Sequence, residues 1–186
     1  AIMAAKISGC IKIIGIDIHD HRLETAKELG ATHVINSKTT NVKKEIKKIT
    51  GGKGVNFSID TTGVPAVMRA SLEVLSIGGV AAPIALTSKT IEVNTLFDLT
   101  LFNRSIKGIC MGAAIPQLSI PQLVEFFNQG SFSFDKLIKF YEENGYKVIT
   151  TSCTEQLTSK PWGFFETLFK EFYNISYHNK FIDTTK

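Results

Sequence analysis

The sequence predicts an α/β fold in which a doubly wound, mostly parallel sheet carries helices on both faces. Short apolar runs alternate regularly with segments of helical periodicity, and glycine residues end most of these segments. Strands that are joined by helical crossovers lie parallel, because only antiparallel neighbours can be linked by a tight turn. The alternation therefore favours an open parallel sheet over a sandwich or a helical bundle.

The first half of the chain predicts strands that alternate with helices. An apolar run ends at Asp17, after which Leu23, Ala26 and Leu29 recur at helical spacing. Asp20 is expected to cap this helix, because its carboxylate can accept hydrogen bonds from the amides of the first turn. The predicted elements are strands at 11–17, 31–36 and 55–60 and helices at 20–30 and 41–50.

The second half continues the same pattern. Pro65 suits the first turn of a helix, and the pair Gly78-Gly79 is expected to end that helix. Ser119 is expected to cap the last helix, with Pro121 in its first turn. The predicted elements are helices at 65–76, 95–103 and 119–130 and strands at 80–86 and 105–112, and the residues expected to face inward on the last helix are Leu123, Val124, Phe126 and Phe127.

Length and composition indicate a globular domain that binds neither nucleic acid nor membrane. The chain has 186 residues, 44% of them hydrophobic, and a formal net charge of +4. Its densest lysine group, at 43–53, contains no interleaved aromatic residue, which indicates a solvated helix face instead of a nucleic-acid patch. The amino terminus has no signal-like pattern, and no apolar run reaches the roughly 18 residues of a transmembrane helix.

The cysteines and histidines predict a reducing compartment and no metal site. Cys10, Cys110 and Cys153 are odd in number and remotely spaced, which favours a cytoplasmic protein with buried thiols. The segment His19-Asp20-His21 lies at a strand-to-helix turn, where helix capping is the stronger interpretation and metal binding the weaker one. We therefore expect no metal ligand on this chain.

Asp17 is the strongest functional candidate. In a doubly wound domain, an acid at the carboxyl end of a strand can bind both hydroxyls of a nucleotide ribose. A glycine-rich phosphate turn is expected about 20 residues upstream of such an acid, which is before Ala1. Residues 1–10 are expected to be a helix already under way, with Gly9 as its stop.

Three blocks of sequence, taken in order, carry a family resemblance. They are IIGIDIHDHRLETAKELGATHVIN, then VNFSIDTTGVP with the later SIGG, and then IKGICMGAAIPQLSIPQLVEFFNQGSFSFDKLIKFY. Together they resemble the cofactor domain of the medium-chain, zinc-type alcohol dehydrogenases, nearest to the aryl-alcohol (benzyl alcohol) branch. The resemblance covers roughly residues 1–141 and implies an NAD-binding, Rossmann-type domain that is truncated before its first strand.

The resemblance also implies roles for particular residues. The acid that matches Asp17 binds the adenosine ribose, and its charge favours NAD over NADP because it repels a 2′-phosphate. Arg22 matches a basic position that reaches the same ribose, although an ordinary exposed helix arginine is the competing interpretation. By the same alignment Ile18 and Thr62 flank the adenine ring. The backbone positions expected to meet the nicotinamide carboxamide are Ile84, Ile109 and Met111.

Parts of the family pattern that this sequence does not match limit the activity expected of it. The first strand, its glycine turn and the amino-terminal domain, which supplies the zinc ligands and the proton relay in this family, have no counterpart here. We assign no catalytic residue, and we expect weak cofactor binding because the pyrophosphate lacks the amide donors of the missing turn. The intact enzyme would transfer a hydride between an alcohol and NAD with the help of zinc.

The segment at 142–186 departs from the family pattern and is expected to be an atypical extension. Only Lys160-Pro161 matches the expected ending. From Trp162 onward the chain is rich in aromatic residues, and several apolar residues fall at helical spacing on one face, namely Phe165, Leu168, Phe169 and Phe172. A helix packed on the open sheet, a surface for self-association and an altered reading frame remain alternative interpretations.

The sequence also allows two other functional hypotheses. The first is a non-enzymatic remnant or assembly module that keeps the fold without binding a dinucleotide. The second is a Rossmann-like methyltransferase in which Asp17 binds the ribose of S-adenosylmethionine. The methyltransferase would need a late antiparallel hairpin, and the segments at 80–86 and 105–112 show no hairpin turn.

Overall fold

A computed structural model describes residues 1–138 of the chain, although the side chain of Met111 is not described. The chain divides at 133/134 into two units, and the elements named below all belong to the first, Ala1–Ser133. The helices are α1 (Ile2–Ile7), α2 (Asp20–Glu28), α3 (Val42–Ile49), α4 (Pro65–Glu73) and α5 (Pro116–Asn128). The strands are β1 (Ile14–Asp17), β2 (His33–Asn36), β3 (Val55–Asp60), β4 (Leu75–Pro83) and β5 (Ser105–Ile106).

All the strand pairings described are parallel, as the sequence predicts. β1 pairs with β2, so that Asp17 lies opposite Asn36. β4 lies between β3 and β5, and Asp60 lies opposite Pro83. Among the described residues the strands form separate sheets, ordered β1-β2 and β3-β4-β5, with no ladder between β1 and β3. Because the strands of each sheet run in one direction, their carboxyl ends meet at one edge.

Each sheet has its own small core. Around β1 and β2, Ile13, Ala26 and Ala31 form a buried cluster that also contacts α1. A Cβ on Gly15 would lie 3.2 Å from the Ala26 Cβ, so the glycine lets α2 approach the strand closely. Around β3 and β4 the buried cluster is Leu72, Leu75 and Ala81.

The largest correction to the sequence prediction concerns Gly78-Gly79. This pair was expected to end a helix that reaches residue 76, but α4 ends at Glu73 and the pair lies within β4. While β3 advances from Val55 to Phe57, β4 advances from Leu75 to Val80, so the glycines occupy a bulge. Gly78 adopts a φ of 74°, a conformation that favours glycine.

The cap predictions for α2 and α5 were also wrong. His19 is the N-cap of α2, and the Asp20 carboxylate instead accepts a hydrogen bond from the Asn36 side chain at 2.6 Å. α5 begins at Pro116, so Ser119 lies inside the helix, where its hydroxyl bonds back to the Ile115 carbonyl. None of the residues of α5 is buried, contrary to the inward face expected for Leu123, Val124 and Phe127.

The predicted strand at 105–112 is shorter than expected. β5 covers Ser105–Ile106, and a short 3-10 turn follows at Met111–Ala113. The helix predicted at 95–103 forms as a π-helical turn at Thr95–Leu99 and a 3-10 turn at Thr100–Phe102. Among residues 1–138, no helix combines the length and the apolar character that a membrane crossing requires. The predictions for 142–186 concern residues outside the described part.

Candidate functional site

Asp17 is the last residue of β1, at the carboxyl edge of the first sheet. Its Oδ1 accepts hydrogen bonds from the backbone amides of Ile18 and His19 at 2.7 and 2.9 Å. Its Oδ2 lies 3.7 Å from Nη1 of Arg22, which is too long for a hydrogen bond. The side chain is 28% exposed. The carboxylate is therefore anchored through one oxygen while the other can still accept a hydrogen bond from a ligand.

The side chains near Asp17 are solvent-accessible and locally ordered. Arg22 lies in the first turns of α2 with 55% of its side chain exposed, and Ile18 is 46% exposed directly after the strand. Ser37 donates its backbone amide to the Asp17 carbonyl, and Asn36 is bonded to Asp20. These bonds tie the ends of both strands to each other and to the start of α2.

Thr62 lies in a tight turn at the carboxyl end of β3. The buried carboxylate of Asp60 holds this turn together through hydrogen bonds. Asp60 is 2% exposed, and its Oδ1 accepts from the Thr62 amide at 3.0 Å and from the Thr62 hydroxyl at 2.7 Å. Its Oδ2 accepts from the Gly63 amide at 3.1 Å. The Thr62 hydroxyl in turn accepts from the Val64 amide, which leads into α4.

The turn at Gly63 allows close packing against the segment after β4. Gly63 has a φ of 64°, and a Cβ there would lie 3.2 Å from the Ala85 Cβ and 3.1 Å from the Thr87 Cβ. A larger residue would be strained by its backbone and crowded by its neighbours. Glycine is therefore required where the turn meets the 84–87 segment.

Ile84 follows β4 directly and lies beside the same turn. Its backbone amide donates to the Asp60 carbonyl at 2.9 Å, and its side chain is 40% exposed. The family resemblance implies a backbone contact to a ligand at this position. Since the amide proton is already used inside the sheet, Ile84 can offer its carbonyl oxygen but not its amide.

The last two predicted positions lie beyond β5. Ile109 is half-buried, and Met111 begins the 3-10 turn that ends at Ala113. Because β5 pairs with β4 in parallel, this segment leaves the sheet at the same edge as Ile84. The structure thus associates Asp17, Ile18 and Arg22 with one sheet and Thr62, Ile84, Ile109 and Met111 with the other.

Sequence reasoning missed Asp60 as part of this edge. The residue was recognised only as the end of an apolar strand, although it joins Thr62, Gly63 and Ile84 through its carboxylate and carbonyl. The available signal was the order Asp60-Thr61-Thr62-Gly63 between a strand and a helix, which is typical of a side-chain-stabilised turn. Burial of the acid was not visible from that pattern.

A bidentate ion pair joins α4 to the turn at Thr95–Leu99. Arg69 on α4 binds the carboxylate of Asp98 through Nη1 and Nη2, at 2.5 and 2.7 Å, and also binds Glu73. The hydrogen bonds from Arg69 hold the pKa of Asp98 below its ordinary value, and the same contact raises the pKa of Arg69. Both groups stay charged at neutral pH, which indicates a structural ion pair and not a proton donor or acceptor.

Residues 1–138 contain no group of three or more His, Cys, Asp or Glu side chains that could hold a metal ion. His19 and His21 lie with ring centroids 5.5 Å apart, and His33 contacts the Thr32 hydroxyl. Since no further acid or thiol joins the histidines into such a group, we assign no zinc ligand within this part of the chain.

Comparison with known proteins identifies the family. The sequence profile of a family described as zinc-binding dehydrogenase matches residues 1–129. Geraniol dehydrogenase of Castellaniella defragrans is 33% identical over 143 residues, which cover 76% of this chain and 38% of that protein. (R,R)-butanediol dehydrogenase of Bacillus subtilis is 34% identical over 137 residues, which cover 74% of this chain and 38% of that protein.

A solved structure supports the same relationship in three dimensions. The crystal structure of benzyl alcohol dehydrogenase from Acinetobacter calcoaceticus is 42% identical with a TM-score of 0.70, covering 74% of this chain and 38% of that chain. The chain thus spans about 38% of the length of these relatives. The predicted resemblance and the predicted doubly wound α/β class are both confirmed. The chain belongs to the zinc-binding dehydrogenase family, in which it corresponds to the Rossmann-type, NAD-binding part of the zinc-type alcohol dehydrogenases.

Proposed function

We propose that the chain is the NAD-binding portion of a zinc-dependent alcohol dehydrogenase, with the cofactor lying along the carboxyl edge of the strands. The observation that carries this proposal is Asp17, a strand-end carboxylate with one anchored oxygen and one accessible oxygen. The unanchored oxygen can accept hydrogen bonds from the hydroxyls of a ribose, which are donors. Residues 1–141 would form this incomplete domain, and 142–186 would be a separate extension.

The charge at Asp17 supports a preference for NAD over NADP. A 2′-phosphate would place a second anion against the carboxylate, which disfavours NADP, while Arg22, whose guanidinium lies 3.7 Å from Asp17 Oδ2, would reach the same ribose. Ile18 and Thr62 would flank the adenine ring. The Ile84 carbonyl and the backbone of Ile109 and Met111 would accept or donate hydrogen bonds at the nicotinamide carboxamide.

In the intact enzyme, bound NAD would supply the hydride acceptor and zinc would stabilise the alkoxide of a small alcohol. This chain's own residues would bind and orient the dinucleotide, and we assign none of them to the chemical step. The odd, remotely spaced cysteines support a cytoplasmic location, and the aromatic residues after Trp162 are the basis for proposing self-association.

Titration of NADH and NADPH into the purified chain, followed by the fluorescence of the reduced nicotinamide, tests the proposal. We expect weak binding of NADH and weaker binding of NADPH. D17N should lower the NADH affinity by about 10-fold or more, since a hydrogen bond to a charged acceptor is worth about 1.5–3 kcal/mol. The same substitution should reduce the preference for NADH over NADPH.

E24Q is the matched control, because Glu24 is an exposed acid on α2 outside the proposed site. It removes the same charge and should leave the NADH affinity unchanged. If the chain binds neither dinucleotide in the millimolar range, the non-enzymatic remnant is the better explanation. The separation of the β1-β2 sheet from the β3-β4-β5 sheet favours that second candidate.

A further inference from the structure

The buried carboxylate of Asp60 has no role in the function proposed above, yet it determines the chemistry of its neighbour. Three donors converge on its two oxygens, namely the Thr62 amide, the Thr62 hydroxyl and the Gly63 amide. An aspartate satisfies all of them because both of its oxygens are acceptors. Asparagine at this position would turn an NH₂ group toward one of these donors.

The hydroxyl of Thr62 is committed within the turn. A threonine hydroxyl has a single proton, and here that proton is donated to Asp60 Oδ1 at 2.7 Å. The Thr62 hydroxyl oxygen also accepts a hydrogen bond from the Val64 amide at 3.1 Å. Both hydrogen bonds commit the hydroxyl of Thr62 to protein partners, which leaves the methyl group of this exposed residue for an apolar contact with a ligand.

We propose that Asp60 is a positioning residue for the adenine end of the dinucleotide. By binding the Thr62 hydroxyl it holds the side chain so that a methyl group, and no hydrogen-bond donor, contacts the adenine ring. This inference rests on the proposed function, since it concerns the residue that would flank the adenine. It makes Thr62 an apolar contact for the flat face of the adenine ring.

The first experiment follows the Thr62 methyl resonance by NMR while 5′-AMP is titrated into the chain. The ring current of a stacked adenine should shift this resonance progressively toward a plateau. A Thr62 methyl that does not move, while other resonances near Asp17 respond to 5′-AMP, would overturn the inference and leave the ribose site standing.

The second experiment separates the methyl group from the hydroxyl. T62S keeps the hydroxyl and removes the methyl, so it should weaken NADH binding about fourfold, which corresponds to about 0.8 kcal/mol for one buried methyl-sized group. T61S removes a methyl from the adjacent exposed threonine and should leave the NADH affinity as it is. NADH affinity that is equal in T62S and the unmodified chain would show that the methyl is not the contact.

The third experiment tests Asp60 itself. D60N should accelerate amide hydrogen exchange at Thr62, Gly63 and Val64 without affecting β2, and it should abolish the shift of the Thr62 methyl with 5′-AMP. Unchanged exchange at these amides would contradict the positioning role. Hydrogen exchange is measured without ligand, so it reports on the turn even if the chain binds no dinucleotide. A failure to bind any dinucleotide would refute both the proposed function and the adenine contact.

Discussion

At the scale of single residues, the protein uses aspartates in distinct electrostatic settings. Asp17 is partly exposed and anchored by backbone amides through one oxygen. Asp60 is buried and satisfied by the turn that follows it. Asp98 is buried and bound by the Arg69 guanidinium. Of these three aspartates, only Asp17 can accept a hydrogen bond from a ligand in solvent, so it is the candidate for direct binding, whereas Asp60 and Asp98 hold neighbouring protein groups in place.

The Arg69–Asp98 pair should make stability depend on pH in the acid range. Because the folded-state pKa of Asp98 is lowered, its contribution is complete above the unfolded value of about 4 and is lost as the pH falls through the lowered pKa. Urea unfolding between neutral pH and pH 3 should therefore show a loss of stability. D98N should unfold more easily at neutral pH and should show a smaller loss on acidification.

R69A should also destabilise the chain. Removing one partner of a fully buried pair costs about 3–5 kcal/mol, and roughly 2–3 kcal/mol is expected here because a third of the Arg69 side chain is exposed. R22A is a matched control, since its longer contact to Asp17 is at the surface and should contribute little. Equal stabilities of R69A and R22A would contradict the structural role of the pair.

At the scale of elements, the backbone just before β3 lies very close to the backbone at the start of β4. Gly54 precedes β3 with a φ of 81°, and a Cβ there would lie 2.6 Å from the Val74 carbonyl oxygen. The adjacent Val55 amide donates to that same carbonyl at 3.0 Å. The start of the β3-β4 ladder therefore leaves no space for a side chain at residue 54.

G54A should be strongly destabilising, by roughly 2–4 kcal/mol, because backbone strain and a clash with backbone atoms act together. G51A is the control: Gly51 also has a positive φ, of 61°, but a Cβ there would have no neighbour within 4 Å. It should cost only about 1 kcal/mol, the strain of the left-handed conformation. Thermal unfolding of both variants measures the difference, and similar melting temperatures would count against the steric argument.

At the scale of the whole molecule, the parallel strands do not form one continuous sheet within the described residues. β1 and β3 pair with β2 and β4, respectively, and no ladder joins them to each other. On β3, Phe57 and Ile59 are 69% and 52% exposed. These two side chains are two positions apart and therefore share one face of β3, where they leave apolar surface exposed.

We expect purified residues 1–186 to show no alcohol oxidation when NAD and zinc are supplied. The chain spans about 38% of the length of its relatives, and no residue that holds a metal or relays a proton has been assigned on it. Measuring NADH formation with benzyl alcohol tests this expectation. Turnover that persists after chelation and repurification would mean that a catalytic group on this chain has been overlooked.

The sequence alone predicted the features that depend on local pattern. Alternating apolar and amphipathic segments predicted the α/β class, and β3 was predicted with the bounds that it has. The position of Asp17 at a strand end followed from the apolar run before it. Family-specific blocks carried the resemblance that the comparisons confirm, because identity over a long ordered alignment does not depend on knowing any contact.

The tertiary structure decided the features that depend on contacts between distant residues. Arg69 and Asp98 are 29 positions apart, and nothing in their local sequence pairs them. The bulge at Gly78-Gly79 arises because β4 must stay in register with β3, so a local helix-stop signal was overridden. The Ile84 amide donates a hydrogen bond to the Asp60 carbonyl because the pairing of β3 with β4 brings the two backbones together. Local propensities act over a few residues, whereas hydrogen bonding and burial are properties of the assembled chain, and those properties determine which groups remain available to a ligand.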